Sequence, residues 1–263
     1  MSKTILITGS TDGIGLLTAK KLIANGHNVL LHGRNEKKLS DAAADIDGNT
    51  ETYCADLSSM KGVKTLASAI QSNHETIDVL INNAGVFKIP NPVTDDGYDL
   101  RIMVNTAAPY LLTKLLLPIM SSESRVINLS SAAQTAVEMK AFKPNANLSD
   151  NAAYGQSKLA LTMWSMHLAA TLGNNSPSII AINPASFLAS KMVKDAYGMP
   201  GNNLSIGADI LVRAALSDEF ANASGRYFDN DQGKFSAPHP DALVASKNEH
   251  VTKAIEAMLI ELN

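Results

Sequence analysis

The sequence predicts a doubly wound parallel α/β sheet with helices on both faces. Three observations predict it: short apolar runs recur along the chain, amphipathic segments of helix length separate them, and a glycine-rich turn joins the first run to the first helix. Runs that are apolar on both faces need cover on both sides, and right-handed crossovers between parallel strands provide it.

The elements follow in order. "TILIT" (4–8) is the first strand, and the helix after it would bury Ile14, Leu17, Leu22 and Ile23 and stop at Gly26. "NVLLH" (28–32), "TETYCA" (50–55), "IDVLIN" (77–82), "RVINLS" (125–130) and "SIIAIN" (178–183) supply five more strands. "GRYFD" (225–229) is a further short strand, and Val251, Ile255, Met258 and Leu259 repeat at helical spacing in a closing helix over 247–262. No repeat or linker interrupts this order, so residues 1–263 are expected to form a single domain.

Two segments are long for strand-to-helix connections, 132–151 and 185–203. Both follow strands at the sheet edge where ligands bind in open α/β folds, so both are expected to be active-site loops. Their Phe142, Phe187, Met192, Val193, Tyr197 and Met199 fit either an apolar substrate or packing against the body.

Of the 263 residues 45% are hydrophobic and 18% charged, with a net charge of −3, which excludes a disordered chain and an electrostatic grip on nucleic acid or anionic membrane. Cys54 has no internal disulfide partner and reads as an inert buried strand residue. The N-terminus lacks a signal-peptide pattern, and "LLTKLLLPIM" falls short of the roughly 20 residues that cross a bilayer. A soluble, cytoplasmic protein with no membrane partner is therefore expected. The six histidines, His27, His32, His74, His167, His239 and His250, show no ligand spacing, so no metal is expected.

The turn "TGSTDGIG" places Gly9, Ser10, Thr11, Gly13, Ile14 and Gly15 between a strand and a helix start. Glycines let the backbone approach a pyrophosphate, which meets the free N–H groups and positive end of the helix dipole. Asp12 works mildly against a phosphate there. The second strand ends "LLHGRN" with no carboxylate for ribose hydroxyls; Gly33 leaves room, and Arg34 with Asn35 points to a 2′-phosphate, hence NADP(H) in preference to NAD(H), although Arg34 also suits a solvated loop cation. Asp56 and Leu57 are placed to meet adenine, although Asp56 also suits a helix N-cap, and Asn83, Ala84 and Gly85 in "NNAG" offer amides for the ribose.

At the other end, Tyr154 and Lys158 stand four apart in "AAYGQSKLAL" and share a helix face. A neighbouring ammonium favours a phenolate; moving a tyrosine from about 10 to about 7 takes roughly 4 kcal/mol.

"TGSTDGIG", "NNAG", "INLSS" and "YGQSK", in that order and each after the expected element, resemble the short-chain dehydrogenase/reductase family over nearly the whole chain. The "GRNEKKL" stretch and the segment before Tyr154 resemble its retinol-dehydrogenase-like branch. The resemblance implies a Rossmann-type sheet, bound NAD(P)(H) and an Asn–Ser–Tyr–Lys catalytic set. Carried over, Tyr154 is the acid/base, Lys158 lowers its pKa and holds the nicotinamide ribose, and Asn105 in "MVNTAAP" orders a relay water. Ser131 matches the substrate-binding serine, with Ser130 as the structural alternative.

Past the sixth strand Pro184 matches a residue at the nicotinamide, Ala185 stands where many members have glycine, and Ser190 matches a hydroxyl residue that assists. The expected activity is hydride transfer between the cofactor and a small, apolar carbonyl or alcohol substrate, as in a carbonyl reductase. A lyase or epimerase on the same scaffold, or a dinucleotide-sensing regulator, are the alternatives. Family members often pair through the helices holding Asn105 and Tyr154, so Leu111, Leu115, Trp164 and Leu168 either mark a candidate homodimer or homotetramer face or belong to the core.

Overall fold

A computed structural model describes residues 2–48, 50–173, 175–189, 194, 198 and 200–262. Its centre is an eight-stranded sheet in the order β3-β2-β1-β4-β5-β6-β7-β8. The strands are β1 (Thr4–Ile7), β2 (Asn28–Gly33), β3 (Thr50–Cys54), β4 (Val79–Asn82), β5 (Arg125–Leu129), β6 (Ser178–Asn183), β7 (Tyr227–Asp229) and β8 (Lys234–Phe235). All neighbours pair in parallel except β7 with β8. The order reverses between β1 and β4, and a crevice opens there at the C-terminal strand ends.

The helices are α1 (Gly13–Ala24), α2 (Glu36–Ala44), α3 (Met60–Asn73), α4 (the run Leu100–Ile119), α5 (Asp150–Leu172), α6 (Leu204–Leu216) and α7 (Ala245–Glu261). One core packs Leu6, Leu30, Leu80 and Val126 with α3, α4, α5 and α7; the other packs Ile5, Ile7, Ile81 and Ile180 with α1 and α6. Adjacent strand residues thus serve opposite faces, which is why β1 (after its first residue), β4, β5 and β6 read as continuous apolar runs.

Two expectations are corrected, and two that the sequence leaves open are resolved. The third strand lies at the sheet edge, so only Tyr53 of β3 is buried and Cys54 is exposed rather than buried. The apolar helix around "LLTKLLLPIM" begins at Leu100, and its 20 residues are long and apolar enough to cross a membrane, with most of that stretch buried inside the body. Segment 132–151 is tied to the body: Ala141 and Phe142 are buried, the Glu138 amide donates to Gln156 at 2.9 Å, and the Lys143 ammonium donates to Glu261 of α7 at 2.9 Å. Packing against the body therefore accounts for Phe142. Finally, α7 packs along α5, so Trp164 and Leu168 belong to the core and offer no outer face. Strand β8 was not foreseen; two residues are too short for a periodic signal.

Candidate active site

The crevice holds a cleft of about 390 Å³, and both predicted ends line it. Gly9, Thr11, Gly13, Ile14, Gly15, Arg34, Asp56, Leu57, Asn83, Ala84 and Gly85 border one part; Tyr154, Lys158 and Pro184 border the other. Asp12, His32, Gly33, Val86, Val104, Leu129 and Ser130 complete the wall.

The phosphate end is shaped by close backbone approach. A Cβ on Gly15 would stand 2.5 Å from both the Gly9 carbonyl oxygen and Asn83 Nδ2, and Gly9 has φ +65°. Those contacts forbid side chains and leave a bare cradle beside the first turn of α1, whose amides have no intrahelical acceptor. The Asp12 carboxylate caps that helix by accepting from the Gly13 amide at 2.7 Å. The next amides, Ile14 and Gly15, remain for an anion. The cradle fits a dinucleotide pyrophosphate.

Three residues hold the cradle. Thr8 Oγ1 accepts from the Asn83 and Ala84 amides, each at 3.0 Å, and Asn83 Nδ2 donates to the Thr8 and Gly9 carbonyls at 2.8 and 3.0 Å. His32, at the end of β2, is 2% exposed; its Nδ1 accepts from the Gly9 amide at 3.2 Å and its Nε2 meets the Ala55 carbonyl at 3.1 Å. Since Gly9 N–H can only donate and Ala55 C=O only accept, the ring is neutral with its proton on Nε2. Burial pushes its pKa down to about 4. The sequence marked His32 only as one of six scattered histidines; its place at a strand end beside the glycine turn was the available signal.

Ser10 and Asn35 support the site from outside the cleft. Ser10 is fully buried and its Oγ accepts from the His32 amide at 2.9 Å, while Asn35 caps α2 through the Lys38 amide. Arg34 is exposed at the cleft margin. Asp56 accepts from the Ser58 amide at 2.9 Å, and Ser59, not Asp56, caps α3.

At the chemical end Lys158 is 4% exposed; its Nζ donates to the Leu129 carbonyl at 2.7 Å and lies 5.7 Å from the Tyr154 ring centroid. Burial pushes the Lys158 pKa down to about 8. Tyr154 is half-buried and packs on Phe87, the ring centroids 4.6 Å apart. Asn105 does not line the cleft. It is buried, accepts from the Val86 amide at 2.8 Å, and donates to the Val86 carbonyl at 2.9 Å and Ser157 Oγ at 3.0 Å. Its helix widens into a π turn over Met103–Ala107, and Pro109, four residues on, has no N–H to return to the Asn105 carbonyl.

The two serines differ. Ser130 borders the cleft, but its hydroxyl is engaged with Thr162 Oγ1 at 2.7 Å and the Lys158 carbonyl at 3.3 Å. Ser131 does not border it; its Oγ accepts from the Ala133 amide at 3.1 Å, which leaves its O–H proton to donate. Ser190 lies outside the described residues, as do Met192, Val193, Tyr197 and Met199.

The fold and cleft define a class, α/β oxidoreductases that bind a nicotinamide dinucleotide at the switch point of a doubly wound sheet. The family described as short chain dehydrogenase matches residues 3–199. Retinol dehydrogenase 13 of Homo sapiens is 33% identical over 264 residues, covering 91% of this chain and 79% of its own. Polyprenol dehydrogenase of Homo sapiens is 30% identical over 256 residues, covering 88% and 77%. A crystal structure of a landomycin C-6 ketoreductase with bound NADP and rabelomycin superposes with a TM-score of 0.67 at 25% identity, covering 87% of this chain and 94% of that one. The chain belongs to the short-chain dehydrogenase family, in its retinol-dehydrogenase-like branch, and is an NAD(P)-dependent dehydrogenase/reductase.

Proposed function

We propose that the protein is an NADP(H)-preferring oxidoreductase that interconverts an apolar primary or secondary alcohol and its carbonyl. The observation that carries this reading is the cleft itself, which has an anion cradle and Arg34 at one end and Tyr154 with a buried lysine at the other. The apolar wall formed by Val86, Val104 and Leu129, and relatives named for retinol and polyprenol, support an apolar substrate. The absence of a carboxylate from "HGRN" at the end of β2, and a solved neighbour with bound NADP, support the phosphorylated cofactor.

Gly9, Gly13, Ile14 and Gly15 would hold the pyrophosphate, Arg34 the 2′-phosphate, Asp56 and Leu57 the adenine, and Asn83 to Gly85 with Pro184 the nicotinamide half. Bound there, the nicotinamide supplies or accepts the hydride. Ser131, which follows the cleft-lining Ser130 and keeps its O–H proton, would donate to a substrate oxygen at the mouth of the cleft, and Tyr154 delivers the proton that oxygen needs in reduction, or removes it in oxidation. Lys158 holds positive charge beside the phenol, which stabilises its anion. Asn105 pins the segment behind Val86, and its backbone carbonyl, left without a partner from Pro109, is the group that would hold a relay water.

The test is a panel of apolar alcohols, aldehydes and ketones, followed by nicotinamide absorbance with NADPH/NADP and NADH/NAD in parallel. Turnover of apolar members with the phosphorylated cofactor preferred is the expected result. Turnover only of charged polar substrates, or a preference for NADH, sinks it.

A further inference from the structure

The backbone that leaves β6 holds a strained residue. Ala185 has φ +121°, a region that glycine occupies freely and alanine does not. It stands next to Pro184, which borders the cleft. A non-glycine residue persists in such a conformation only where its surroundings over-determine it.

Here one carboxylate supplies three of the restraints. Asp231, on the turn between β7 and β8, accepts from the Ser186 amide at 2.8 Å, from the Ser186 hydroxyl at 2.6 Å and from Asn183 Nδ2 at 2.8 Å. It therefore grips the chain on both sides of Pro184 and Ala185. Asn230 adds a bond from its Nδ2 to the Pro184 carbonyl at 3.0 Å. Burial pushes the Asp231 pKa up, but the Ser186 and Asn183 bonds outweigh it and hold the carboxyl below its usual value, so the clasp is charged at neutral pH.

We propose that Asp231 is a positioning residue: by clasping Asn183 and Ser186 it keeps Ala185 left-handed, which sets the backbone after Pro184 along the nicotinamide end of the cleft. This rests on the reading that a nicotinamide dinucleotide binds there.

The test compares binding of NADPH with binding of adenosine 2′,5′-bisphosphate, which carries the adenosine end and no nicotinamide, to the full chain and its variants. Asp231→Ala is expected to weaken NADPH about tenfold, the scale of one released strained residue, and to leave the fragment nearly unchanged. Adding Ala185→Gly to that variant restores most of the NADPH affinity, because glycine takes the conformation unaided. Unchanged NADPH binding in Asp231→Ala, equal weakening of both ligands, or no rescue by glycine each overturns the proposal. A parent chain that binds neither ligand defeats the functional reading instead. The clasp is then judged by amide exchange over 183–189 without cofactor, which must quicken in Asp231→Ala; unchanged exchange overturns it.

Discussion

Each end of the cleft is built around one buried base, and the two carry different charge. At the glycine turn the base is His32, whose pKa burial lowers from 6.5 to about 4, so at neutral pH it is an uncharged strut between Gly9 and Ala55. Beside Tyr154 the base is Lys158, which the same force lowers from 10.5 to about 8, so at neutral pH it is still mostly an ammonium. Desolvation acts in one direction on both. The difference in outcome comes from the intrinsic basicity of imidazole and amine: the end that must receive phosphates keeps a neutral support, and the end that must favour a phenolate keeps a cation.

The comparison breaks most readily at Tyr154. Tyr154→Phe is expected to lower turnover about 10²- to 10⁴-fold while NADPH binding, measured by fluorescence titration, holds. Activity that survives would move the proton chemistry to another group.

Lys158 comes next. Between pH 8 and 10.5 the unfolded chain binds more protons at this site than the folded one, so stability rises with pH across that window. The cost of the buried ammonium is full below about pH 8 and gone above about 10.5. The lowering from 10.5 to about 8 corresponds to about 3 kcal/mol. Lys158→Met should therefore stabilise the cofactor-free protein by up to that amount at pH 7 in urea titration, with the gain fading toward pH 10.5, and should abolish turnover. A variant less stable at every pH contradicts a charged lysine buried at a cost.

His32 responds in a different window. Its folded pKa is lowered too, so its contribution is whole above about pH 6.5 and is lost as pH falls toward 4. Protonation turns Nδ1 from acceptor to donor against the Gly9 amide, so the cradle opens from the phosphate side. His32→Gln is expected to weaken NADPH binding about tenfold at pH 7, the cost of leaving a buried donor unmet, and to flatten the acid limb of the stability curve between pH 6.5 and 4. An acid limb identical to the parent's would show that His32 is not the strut.

Arg34 should show the smallest effect, because it is exposed and its pairing with a phosphate is screened by solvent. Arg34→Ala is expected to reduce the ratio of NADPH to NADH affinity about threefold, compared by competition titration. No change in that ratio moves the preference to another residue.

Much of this architecture was legible in advance. Strands β1, β4, β5 and β6 read as strands because both of their faces are buried, and "TGSTDGIG" read as a cradle because strand, glycines and helix start came in sequence. Tyr154 and Lys158 were paired by helical spacing alone. The misreadings share a cause. Cys54 reads as buried from its neighbours in sequence, and Phe142 stays open between two roles there, because exposure depends on whether another layer covers a residue: β3 is an edge, while α7 lies over segment 132–151. Nor could spacing show that Asp231 reaches 45 residues back to Ser186, or that His32 touches Gly9.

By itself the chain's order of residues determined the class of fold, the location of the crevice and the chemistry at its two ends, because periodicity, glycine conformation and i,i+4 spacing are local properties. Tertiary structure alone decided which groups are charged and which backbone is held. Desolvation of Lys158 and His32 depends on what packs around them, and the strain at Ala185 depends on a carboxylate delivered by a different turn. Both are long-range effects that no local pattern records.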